Sequence, residues 1–375
     1  MVGFAKNQRN SNLEILRIIA IVLIVAHHWA FHGFQNIDLV ASNPNTYIIY
    51  FLTIFGKVGV NLFIILSAYF MVTSNFTIRK FLVVSGEVYF YSILFLVLFL
   101  TVLTPVSPIS GSSIVSSILP VSHSAYWFIT DYLMLMILSP FLNKFISILS
   151  KHNYLNLLGL TLLMWCIYPT FTGHSFEFNS IFWFIVLYLI GGFIRLHVNL
   201  DKFSFKKLIV TGIISIIVCY VLYAGVSTAG LLLGSGKILE VSKLLYGENS
   251  LFVLIVSIVL FIIFLKRKEF SNKYINYIAG SVLGVYLIHE NMYFRPFLWK
   301  VLLKNSTYYN SPSLIIFAIV SIIGIFLICT GIDIIRRLTI EKLWILILDA
   351  KLDNLVIWIK NKFMGVSDKL LSYLY

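Results

Sequence analysis

Charge is scarce in this sequence: 11% of its 375 residues are Asp, Glu, Lys or Arg, where a soluble domain carries about a quarter. Too little polar surface is left to clothe a water-soluble globule of this length. The complement is a chain that is 59% hydrophobic, with a mean hydropathy of +0.94. Cysteine is nearly absent as well. Cys166, Cys219 and Cys329 all fall within apolar runs, out of reach of an aqueous oxidant, so neither a disulfide framework nor a redox function is expected. Low-complexity segments are lacking, and so are the related halves that transporters often carry. Lys6 and Arg9 precede the first apolar run, but no small-residue cleavage site follows it. A retained first span is expected rather than a signal peptide.

What the chain has in quantity is apolar runs near the roughly 20 residues needed to cross a bilayer. Ten candidate spans cover 14–31, 47–71, 81–103, 127–149, 154–169, 181–196, 208–223, 251–265, 275–292 and 314–335. The formal net charge of +13 would suggest nucleic acid in a soluble protein, but here its distribution matters more. With the N-terminus inside, the outer connections hold only Lys237, Lys243, Arg295, Lys300 and Lys304, while Lys57 lies within a span and the other basic residues gather at the inner side. By the positive-inside rule both termini are cytoplasmic, and no nucleic-acid partner is expected. The fold class is therefore an all-α polytopic membrane protein of about ten transmembrane helices. Residues 1–337 are expected to form one membrane domain with no soluble catalytic domain attached. The apolar, lysine-dotted segment 338–375, with Trp344 and Trp358, reads as a cytoplasmic amphipathic helical tail lying in the interface.

The first span, "LEILRIIAIVLIVAHHWAFHG", carries more polar chemistry than a lipid anchor needs. Arg17 and His28 are eleven residues apart; at about 100° per residue this leaves them about 20° from alignment, with His28 roughly 16 Å deeper. His27 points about 80° away, toward a neighbouring helix or lipid. Glu14, three residues before Arg17, is placed to pair with its guanidinium. An imidazole buried near mid-membrane favours its uncharged form and can accept a proton, as a general base must. The alternative is a ring that only packs, bonded to a carbonyl of another helix. Intramembrane ionisable groups are costly enough that a function is the expected reading. His28 and His32 are spaced like two ligands of a metal, but no carboxylate or cysteine stands at helical spacing beside them, so no metal is expected.

Five segments in order resemble the integral-membrane acyltransferase-3 family. "LEILR" followed by the Arg17–x10–His28 spacing is similar to its first helix, and "GKVGVNLFIILSAYF" to its second. "AYWFITDYLMLMILSPFLN", "LYLIGGFIR" and "LGVYLIHEN" match its fourth helix, its sixth and its Y-L-I-H motif. Ala68 stands where Ser-Gly is usual. After the second span Arg79 and Lys80 keep the family's basic stretch, while Val83 and Ser85 occupy places where a second arginine and a proline are common.

The resemblance implies an O-acetyltransferase. Acetyl from acetyl-CoA, the cosubstrate, would pass to a hydroxyl of a bacterial surface polysaccharide such as a capsule or exopolysaccharide, or of its lipid-linked precursor, at the bacterial cytoplasmic membrane. On this reading Arg17, Arg79 and Lys80 hold the coenzyme phosphates and His28 is the base, with Arg17 and Glu14 supporting it. Lys57, Asn61, Trp127 or Tyr286 supplies the oxyanion donor or touches the acceptor, and His289 binds the acceptor or relays protons. Ser67 lacks a nucleophile motif around it. The rival reading is a transporter or flippase for a lipid-linked glycan. The oligomeric state is left open, a homo-oligomer included.

Overall fold

The computed structural model describes residues 9–35, 37–174 and 179–351, and these are helical throughout, without a strand. In chain order the helices are α1 (Ser11–Gly33), α2 (Pro44–Met71), α3 (Ile78–Thr101), α4 (Gly111–Ile118), α5 (Trp127–Ile148), α6 (Lys151–Leu162), α7 (Tyr168–Thr172), α8 (Ser180–His197), α9 (Phe205–Leu232), α10 (Gly236–Tyr246), α11 (Leu251–Lys266), α12 (Lys273–Ala279), α13 (Val282–His289), α14 (Phe294–Pro296) and α15 (Leu314–Arg336). Nine stretches among the described residues are long and apolar enough to cross a membrane. In lipid every backbone amide must be satisfied within the protein, which is why helices carry the whole fold. The starts are capped locally. Asn10 accepts from the Asn12 amide at 3.0 Å, and Asn43, just before Pro44, accepts from the Asn45 amide at 2.9 Å.

The expected ninth span, 275–292, is the exception. It is not one helix but two, α12 and α13, interrupted at Gly280 and Ser281. Arg337 satisfies the groups this break exposes, donating to the Tyr277 carbonyl at 2.8 Å and to the Ser281 hydroxyl at 3.1 Å. The expected limit at residue 337 likewise meets no break in the chain. α15 passes through a π-helical turn at Arg337–Glu341 and stays helical to Lys351. Trp344 packs on Gly86 of α3, and Asp349 pairs with Arg79 at 2.7 Å. The remainder of the expected tail, 352–375, with Trp358, lies outside the described residues.

Helices α1 and α2 form the centre of the bundle and are packed along their length. Gly56 and Gly59 permit it: a side chain at either would collide with His27 or with the backbone of Ala20. Around this pair, α2 is covered by α8 and α11, and α1 by α12, α13 and α15. Behind α13, near the end of α1 that bears Arg17, lies a buried ionic cluster that sequence reasoning did not anticipate. Arg336 reaches Asp333 at 2.8 Å, Glu87 at 3.2 Å and Glu341 at 2.8 Å, and the Tyr91 hydroxyl donates to Asp333 at 2.9 Å. Asp333 in turn abuts Gly284 of α13. The cluster fixes α3, α13 and α15 to one another, so the short helix that carries His289 is held from behind.

Candidate active site

One face of α1 runs the length of the site. Arg17, Ile21, Ile24 and His28, spaced four, three and four residues apart, all line cavities. At the Arg17 end a cavity of about 280 Å³ is walled by Arg9, Arg17, Ser67, Tyr132 and Tyr286. At the His28 end a cavity of about 440 Å³ is walled by His27, His28, His32, Lys57, Trp127, Glu248, Glu290 and Arg295. Ile24 lines both. Glu14 grips Arg17 through both carboxylate oxygens, at 2.9 and 3.0 Å, which sets the direction of the guanidinium. His27 is off this stripe and bonds the Thr53 carbonyl of α2 at 2.5 Å.

The turn that ends α13 sets the geometry around His28. Asn291 donates to the Tyr126 hydroxyl at 2.7 Å and accepts from the Tyr293 amide at 3.0 Å, so the turn after α13 is pinned. Glu290 is thereby aimed back at α1. One of its oxygens takes Arg295 at 2.6 Å; the other stands 3.2 Å from His28 Nδ1 and 3.4 Å from His32 Nε2. His289, fully buried, reaches His28 from behind, with its Nε2 at 2.9 Å from His28 Nδ1. Its own Nδ1 faces the Val285 carbonyl at 2.5 Å, and a carbonyl can only accept. With neutral rings, the proton on His289 must then sit on Nδ1, leaving Nε2 as an acceptor, so His28 carries its proton on Nδ1. The lone pair of His28 is left on Nε2. A base of this kind, held in one tautomer by its neighbours and flanked by a carboxylate, can take a proton and have the resulting imidazolium stabilised.

The remaining sequence candidates separate. Lys57 and Trp127 are on the cavity wall with His28; the ammonium pairs with Glu248 at 2.8 Å and sits 5.3 Å over the Trp127 ring. Asn61 is fully buried and lines neither cavity, donating to the Glu248 carbonyl at 2.8 Å and accepting from the Trp183 indole at 3.1 Å. It holds the loop that bears Glu248 and faces no cavity in which a substrate could meet it. Tyr286 lines the Arg17 cavity, and His289 lies behind His28 instead of on the cavity wall. Arg79 points away to Asp349, whereas Lys80 shares a small cavity of about 170 Å³ with Arg17.

Sequence reasoning missed Glu290, Arg295, Glu248 and Arg9. One signal was available: a lysine inside a span needs a counter-charge, and acids are few enough to search. Glu290 also supplies the carboxylate that the His28–His32 pair lacked on its own helix. The ligand atoms of these three lie within 4.8 Å of one another, close enough for a divalent ion, although Arg295 already neutralises the carboxylate.

The acyltransferase-3 family model, described as an acyltransferase domain, matches residues 10–332. The chain belongs to this family. Neither a curated protein nor a solved structure matches it. The protein is thus a multi-pass membrane acyltransferase, and the matched segment holds every residue of the two cavities except Arg9. In this acyltransferase the five segments that carried the resemblance are dispersed in sequence. Four of them, on α1, α2, α5 and α13, converge on the His28 cavity and its backing.

Proposed function

We propose that this acyltransferase moves an acetyl or other short acyl group from acetyl-CoA to a hydroxyl of a bacterial surface polysaccharide or of its lipid-linked precursor, in the cytoplasmic membrane. The observation that carries this reading is the His28 array, a base with its lone pair on Nε2, buried partners on its other nitrogen, and a cavity beside it. Arg17, with Arg9 beside it, suits the coenzyme phosphates, since guanidinium pairs with phosphate in bidentate fashion. The long arm of the coenzyme would follow the face of α1 past Ile24 to His28.

In the reaction His28 Nε2 removes the proton of the acceptor hydroxyl as its oxygen attacks the thioester carbonyl. The tetrahedral oxyanion forms beside Lys57, whose ammonium lies over the Trp127 ring on the wall of the same cavity. Collapse breaks the carbon–sulfur bond, and the thiolate leaves with the proton that His28 had taken. Glu290 stabilises the imidazolium between these two steps.

The test is NMR of purified surface glycan from wild-type and His28→Ala cells, together with acetyl transfer by the purified full-length protein in lipid vesicles. The expected result is loss of O-acyl signals at unchanged glycan quantity, and a transfer rate lower by about 10²–10⁴-fold. Undiminished acylation would overturn the proposal. So would a fall in surface glycan with normal acylation of what remains, which is the mark of a transporter.

A further inference from the structure

Next to the His28 cavity is a slightly larger one of about 480 Å³ that the reaction above does not use. Phe31, Lys243 and Tyr246 line both, so the two are contiguous at the end of α1 away from Arg17. Three tyrosines with mutually tilted rings form a contiguous part of its lining. The Tyr50 and Tyr223 rings are 4.9 Å apart, and those of Tyr223 and Tyr246 are 4.6 Å apart. Exposed polar groups, Gln35, Asp38 and Glu240, also line it, with Lys243 bonded to Glu240 at 2.6 Å.

This mixture selects among ligand classes. A lipid tail has no use for two carboxylates, and a phosphate group would face them with a single lysine that is already paired. A sugar ring uses both kinds of surface, since its C–H face packs on an aromatic ring and its hydroxyls bond carboxylate and amide groups. Each cavity alone falls within the roughly 300–1,000 Å³ of small-ligand sites. Together they exceed what one sugar beside His28 would fill.

We propose that this tyrosine-lined cavity holds the sugar units adjoining the one that is acylated, so that the acceptor is recognised as a chain of several sugars. The inference rests on the glycan-acylation reading above. Binding energy from the neighbouring units would be expressed as a faster reaction at His28, as it is when remote parts of a substrate position the reacting part.

The experiment uses the glycan of His28→Ala cells, depolymerised to fragments of one, two, three and six sugars, as acceptors for the purified full-length protein with acetyl-CoA. If that glycan carries its normal acyl groups, the glycan-acylation reading itself fails and the inference falls with it. If the glycan is under-acylated, kcat/KM is expected to rise about tenfold or more from one sugar to three. In the triple variant Gln35→Ala, Asp38→Ala, Glu240→Ala, whose changes are all on exposed residues, the same lengthening should gain less than twofold. Equal efficiency on one sugar and on six, or a length effect as large in the variant as in the wild type, would overturn the cavity assignment while leaving the glycan-acylation reading in place.

Discussion

Glu290 follows His289 directly, yet the two meet His28 by separate routes, one through a carboxylate beside the ring and one through a ring behind it. Replacing Glu290 by Gln keeps the volume and removes the charge that stabilises the imidazolium. The expected outcome in steady-state kinetics is a kcat lower by about 10²-fold with the KM for acetyl-CoA near wild type, and an unchanged melting temperature. A defect confined to stability would contradict this role. At this scale Arg17, Glu14 and His28 were legible because helical periodicity alone puts them on one stripe. Glu290 was not, because a straight helix over 275–292 would have turned it about 100° away from His289 with nothing to aim it at α1.

Two short helices, α12 and α13, carry and aim the residues that meet His28. They are separated by two residues, and Arg337, just past α15, donates to the Tyr277 carbonyl before the break and to the Ser281 hydroxyl within it. Arg337→Ala removes this donor while the Gly280 amide still reaches the Tyr277 carbonyl, so the expected cost is about 1 kcal/mol. The variant should melt earlier in a thermal-shift assay and transfer acetyl more slowly, with Arg337→Lys recovering part of both. Equal melting temperatures for variant and wild type would show that the break is held by other contacts. The sequence did contain a sign of the interruption, since Gly-Ser pairs are among the known causes of sharp helix breaks. An apolar average over the segment conceals it. The Arg336 cluster escaped for a related reason: its acids lie on α3 and α15, almost 250 residues apart in sequence, and only packing brings them together.

For the molecule as a whole, hydropathy and the distribution of Lys and Arg were enough to give the class and the span count to within one broken helix, because both follow from the bilayer and not from tertiary detail. The cavities were not legible; they are spaces between helices, and no residue pattern encodes their walls. The orientation can be checked directly, since Cys166, Cys219 and Cys329 are all buried and give little background to thiol labelling. Ser112→Cys, in the connection expected outside, should react with a membrane-impermeant maleimide on intact cells. His152→Cys, in the connection expected inside, should react only after permeabilisation. The reverse pattern would invert the topology and with it the side from which each substrate enters.

Ile24 belongs to the walls of both cavities, the one with the arginines and the one with the histidines. A bilayer that stores energy as an ion gradient is only as tight as its thinnest point, and in this protein water-accessible space approaches that point from two directions. On the proposed reading, the branched, apolar side chain at position 24 would serve as electrical insulation between them. It would have to let an acyl group pass while refusing protons a continuous aqueous thread, a lower limit on its size that catalysis alone would not impose.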